Sequence, residues 1–150
     1  MTRNRGLLAA LTLCSFWIAA SFPATAADLK SPQLVKTALR IFAGVYGDMS
    51  RKLAAQQYDR LPHENQEFQE GAQAMRDAIV GEPATFKAKV GPVLSKTLAA
   101  STHVADVSKS HDETQVKAAL GALADSMKEL NALFPESLRS LPGTVGPPGS

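Results

Sequence analysis

Beyond residue 27, the side chains with chemistry to offer are three histidines, three methionines and a spread of carboxylates. His63, His103 and His111 are far apart in the chain, and no H-x-x-x-H pair brings two of them onto one helix face. Met49, Met75 and Met127 could serve soft metals such as copper, but no M-x-x-M pair forms a chelate, and each falls on an apolar stripe where thioethers usually pack. Glu64, Glu67 and Glu70 recur every three residues, which reads as an acidic strip on a solvated helix face. Neither the E-x-x-H pair of di-iron bundles nor a G-x-S-x-G elbow, P-loop or dinucleotide fingerprint occurs. These residues do not point to an enzyme.

The elements that would position them are helices. Ser31-Pro32 is a start signal, with a cap and then Pro at the first helical position. Helix A then runs to about Gln57 with Leu34, Val35, Ala38, Ile41, Phe42, Val45, Met49 and Leu53 on one face. Gly44 and Gly47 within it are expected to admit a close neighbour. Residues 59–65, around Pro62, read as a connection. Helix B carries Phe68, Ala72, Met75 and Ile79 and stops near Gly81. Helix C starts at Pro83 and turns Phe86, Val90, Val93 or Leu94, Thr97 or Leu98, Ser101 and Val104 inward, with a kink or break expected at Gly91-Pro92. Ser110 to Glu113 fits a capping box opening helix D. Along helix D, Val116, Leu120, Leu123, Met127, Leu130 and Phe134 follow one another at spacings of 4, 3, 4, 3 and 4, a continuous packing seam. A further turn is expected between Ser137 and Leu141. No segment alternates as a strand does. The expectation is an all-α, antiparallel up-down-up-down four-helix bundle spanning residues 28–141.

The ends carry separate signals. Arg3 and Arg5, an apolar run from Leu7 to Phe22, and then Pro23 followed by small residues read as a secretory signal peptide over 1–27, with cleavage after Ala26 or Ala27. The run is shorter than the ~20 apolar residues of a membrane-spanning helix. Cys14 follows Leu13, where a lipoprotein signal wants a small residue. Cleavage would take away the only Cys and the only Trp, and with Arg3 and Arg5 gone 14 basic residues face 14 acidic ones. A mature chain of zero net charge offers no basic patch for nucleic acid or an anionic membrane. A periplasmic or secreted location is expected. Residues 142–150, rich in Pro and Gly, read as a disordered tail.

Helix D also resembles a known family. Val116, Lys117, Ala118, Ala119, Gly121, Ala122, Ser126, Lys128 and Phe134 match the last helix of the class II cytochromes c, the cytochrome c′ type, in the same register. The likeness is good over helix D, fair over helix C and architectural over A and B. It implies an exported four-helix bundle and allows a homodimer through helices A and B. The family binds haem covalently through C-x-x-C-H; here those positions are Met127, Leu130 and Asn131. No thioether can form there, and an amide stands where iron takes imidazole. Gas binding and electron transfer, which belong to the iron, therefore do not carry over. The soluble b-type bundles place Met near the start of helix A and His near the end of helix D, where this chain has Gln33, Leu34 and Val35, and then Asn131. Two expectations follow. The first is a haem-free, non-enzymatic bundle without a cofactor that binds a small ligand or a protein partner. The alternative is a redox carrier holding haem or copper non-covalently.

Overall fold

The computed structural model describes residues 28–141; the expected signal peptide and tail lie outside the described residues. Four helices account for most of this span: α1 (Pro32–Ala54), α2 (Leu61–Ala78), α3 (Ala84–Ser108) and α4 (Glu113–Ala132), with single 3₁₀ turns at Tyr58–Arg60 and Glu136–Leu138. No strand occurs among the described residues. α1 packs chiefly on α2 and α3 on α4. α2 joins the two pairs, and α1 meets α4 more lightly.

The seam of α4 is buried along its whole length: Val116, Leu120, Leu123, Met127, Leu130 and Phe134 all face the core. The α2 stripe of Phe68, Ala72, Met75 and Ile79 is buried too. On α1 the inward set is buried except at Ile41, which is partly buried against the core, and at Leu34, which is 56% exposed because it lies in the first turn, before neighbours close over the helix. Phe42 and Phe68 meet at 4.6 Å between ring centres, and Phe86 stands edge-on to Phe134 at 5.9 Å. Such pairs add roughly 0.5–1.5 kcal/mol beyond the area they bury.

Close helix approach occurs at a glycine other than the two expected. A Cβ on Gly44 would meet nothing within 4 Å, and one on Gly47 only the side chain of Arg51. A Cβ on Gly71 would stand 2.8 Å from Ile41 Cγ2 and 3.2 Å from Phe42 Cε1. The α1–α2 contact therefore depends on the missing side chain of Gly71.

Four features of the helices differ from expectation, the first being that α1 ends at Ala54 and not near Gln57. Residues 61–65 belong to α2 and not to a connection, because Pro62 sits in the first turn, where its missing N–H has no intrahelical partner to lose. α3 runs unbroken through Pro92. Gly91 presents no Cβ to the proline ring, and both Pro92 and Ala88, whose carbonyl loses its partner, are exposed to water. The cap of α4 is Asp112, not Ser110: its carboxylate accepts from the Gln115 N–H at 3.0 Å and from the Gln115 side-chain amide at 2.9 Å. Ser110 belongs to the preceding turn, its hydroxyl donating to Val107 C=O at 2.8 Å.

α1 closes with paired bonds from Gln57 N–H to Lys52 C=O and from Gln56 N–H to Leu53 C=O, with Gln56 in the left-handed region at φ 58°. This is a Schellman closure with glutamine in the place usual for glycine. His111 is likewise left-handed, at φ 56°. Its ring stacks on Tyr58 at 5.2 Å, and Nε2 lies 3.1 Å from Asp59 Oδ1. The α3–α4 link is thereby tied to the α1–α2 link.

Candidate functional site

Positions 127, 130 and 131 stand at i, i+3 and i+4 on α4 and share its inner face. Met127 and Leu130 are 1% and 0% exposed and belong to one continuous apolar core. Asn131 is buried as well, and both ends of its amide are engaged. Nδ2 donates to Met127 C=O at 2.9 Å, and Oδ1 accepts from the Ser140 N–H at 2.9 Å. The second bond draws back the segment after α4, where Leu138 is buried and Arg139 Nε donates to Phe134 C=O at 2.8 Å. Asn131 thus acts as a hook for the closing turn, which also packs on α1.

The other candidates are dispersed. His63 lies on the surface of α2, 3.4 Å from Glu67. His103 is exposed on α3, and His111 serves the link just described. Met49, Met75 and Met127 are all fully buried among core side chains. Among the described residues, no group of three or more His, Cys, Asp or Glu is placed to hold a metal ion. No described helix is long and apolar enough to cross a membrane.

The acidic strip does not hold together. Glu67 and Glu70 face water, but Glu64 is 1% exposed and ion-pairs with Lys52 near the end of α1. A buried carboxylate survives only with such a partner. The pair ties the last turn of α1 to the first turn of α2. The opposite end has its own buried carboxylate, Glu82, which accepts from the Lys30 N–H at 2.7 Å. At the start of α4, the Gln115 backbone N–H, together with its side chain, holds Asp112 below the usual carboxylate range. The hydrogen bond and charge of Glu113 raise Lys117, and the same kind of contact from Lys109 lowers Asp106. Asp106 and Lys117 are exposed and Asp112 is half-buried, and all three lie near helix ends.

Two clefts among the described residues open on the surface. One, of about 320 Å³, lies where the chain leaves α4 and is lined by Lys128, Asn131, Ala132, Glu136, Arg139 and Leu141. The other, of about 340 Å³, lies between the end of α2 and the first half of α3. Its apolar part comes from Ile79, Val80 and Leu94 around Gly91, and its polar part from Arg76, Lys87 and Ser95. Neither cleft reaches Phe42, Met75, Met127 or Leu130. Helical periodicity did not point to this second cleft, because its walls come from two helices. The one available signal was Val80, an apolar residue lying off the α2 stripe. No protein-family model matches the chain, and no curated protein or solved structure matches it either.

Proposed function

We propose that this chain is an exported, haem-free helical bundle of the cytochrome c′ architecture that binds its ligand or partner at the surface and catalyses no reaction. The observation that carries this reading is the closure of α4 at the positions corresponding to C-x-x-C-H. Met127 and Leu130 are wholly buried in the apolar core, and the Asn131 amide is spent on two backbone groups. A porphyrin seated against this face would have to displace all three. Two long-range contacts support an antiparallel, up-down-up-down course. The α1–α2 link meets the α3–α4 link through Asp59 and His111, and the start of α1 meets the α2–α3 link through Lys30 and Glu82. Consecutive helices running in opposite directions bring these pairs of links to opposite ends.

The test is titration of the purified chain lacking residues 1–27 with haemin, and separately with Cu(I) and Cu(II). The expected result is no Soret band beyond that of free haemin and no stoichiometric copper uptake. An equimolar Soret band that disappears in His103→Ala would overturn the proposal in favour of a non-covalent haem carrier.

A further inference from the structure

The cleft between α2 and α3 joins an apolar floor to a cationic edge. Ile79 and Leu94 are buried beneath it, while Val80 is 72% exposed, the most exposed large hydrophobic side chain among the described residues. Gly91 widens the floor: a Cβ there would meet nothing within 4 Å. At the edge, Arg76 has no ion-pair partner among the described residues. Lys87 reaches the cleft with its ammonium donating to Val80 C=O at 3.1 Å, which places the charge beside the exposed valine. The carboxylates nearest in sequence are engaged elsewhere, Asp77 accepting from Gln73 Nε2 at 2.9 Å and Glu82 from the Lys30 N–H. Two cations therefore stand next to apolar surface without a carboxylate of their own. At about 340 Å³ the cleft lies at the small end of the ~300–1,000 Å³ range of ligand sites.

We infer that this cleft binds a single-chain amphiphile with an anionic head, a fatty carboxylate, with its alkyl chain over Ile79, Val80 and Leu94 and its carboxylate between Arg76 and Lys87. An alkyl chain laid there would cover Val80, and Arg76 supplies the planar two-donor geometry that carboxylates match. A neutral alcohol would leave both cations without an anion, and an alkylammonium would be repelled. Because the head contacts are near water, binding should weaken as salt rises.

This inference rests on the surface-binding reading above and names the ligand class for it. Its test is isothermal titration of the protein lacking residues 1–27 with decanoate below its aggregation concentration, beside decanol and decyltrimethylammonium. Saturable 1:1 binding of decanoate is expected, with both analogues at least roughly tenfold weaker. Arg76→Gln and Lys87→Gln should each weaken decanoate by up to roughly fivefold, as for partly exposed ion pairs. Val80→Asp, which changes an exposed side chain and spares the core, should abolish binding while leaving the thermal unfolding curve in place. Equal affinity for decanol, undiminished binding in Val80→Asp, or no heat of binding with decanoate at either about 10 °C or about 35 °C would each overturn the assignment. The haemin titration is independent of these results. A Soret band would defeat the haem-free reading, whereas silent decanoate would defeat only the ligand class.

Discussion

Leu130 on α4 is wholly buried, while Val80, two residues beyond α2, keeps 72% of its surface in water. Both are aliphatic and each belongs to or follows a helix that packs on α3, so side-chain type does not separate them. Their neighbours do. Leu130 lies on a seam that α3 and, more lightly, α1 cover. Val80 lies where α2 has stopped and α3 has not yet closed over it, with Gly91 in place of a covering side chain. The family resemblance draws attention to the first region, yet the open surface with unspent charge is in the second. A filled seam offers a ligand nothing that its own side chains do not already have; a half-covered floor beside two cations still does.

The largest test of this contrast is to open the closed side. Leu130→Ala should destabilise the fold by about 2–5 kcal/mol, the cost of lost burial plus an unrelaxed cavity, read from urea or thermal unfolding by circular dichroism. The resulting hole would be lined by apolar side chains and should stay dry, so small apolar molecules such as benzene should raise the melting temperature of the variant but not of the parent. A loss under about 1 kcal/mol would mean that the seam is slack and that the comparison with the cleft fails.

The next effect concerns the α1–α2 contact. Gly71→Ala places a methyl 2.8 Å from Ile41 Cγ2 and against the ring of Phe42, which is buried and cannot swing away. Overpacking of this kind costs about 1–3 kcal/mol, partly offset by the ~1 kcal/mol that alanine gains over glycine in a helix. A net loss of up to about 2 kcal/mol is expected. The same change at Gly44, which meets nothing, should not destabilise.

These two glycines also mark how far the sequence could be read. Spacing was enough for the α4 seam and the α2 stripe, since a buried helix face repeats every three to four residues whatever covers it. Spacing could not say which glycine another helix would touch, because that depends on a crossing point set in three dimensions. Spacing alone places Glu64 on a solvated strip for a similar reason: its partner Lys52 lies 12 residues earlier, on another helix. The cap of α4 moved from Ser110 to Asp112 because left-handed His111 breaks the path between them, a conformation held by Tyr58 and Asp59 from a distant link. The resemblance pointed to Asn131 as a vacated ligand position, but its use as a hook for Ser140 was not visible in any motif.

A smaller effect separates the ends of α4 from its seam by their response to pH. The Asp112 carboxylate is held below its ordinary value of 3.8 by the Gln115 N–H. A group lowered in the folded state stabilises above its unfolded value, and that contribution is lost as pH falls through the lower folded value. Asp112→Ala should therefore lower the unfolding midpoint at pH 7. The gap between variant and parent should stay nearly constant down to about pH 5, then narrow below pH 4 as the parent loses its charged cap. Leu130→Ala should show a gap that does not narrow in this way, since no titrating group is involved.

The smallest effect lies at the open cleft, where Gly91 precedes Pro92 inside α3. Two terms oppose each other in Gly91→Ala. Alanine gains up to ~1 kcal/mol in helix propensity, but its Cβ meets the Cδ of the following proline, which disfavours helical geometry. Since no other atom lies within 4 Å of the new methyl, the two terms should nearly cancel, leaving a change within about 0.5 kcal/mol. The cancellation can be separated with a double-mutant cycle. In a Pro92→Ala background the ring is gone, and Gly91→Ala should then stabilise by roughly 0.5–1 kcal/mol. A large loss in both backgrounds would mean that side chains already occupy the space over Gly91. The floor of the cleft would then be as closed as the seam around Leu130, and the contrast between the two regions would disappear.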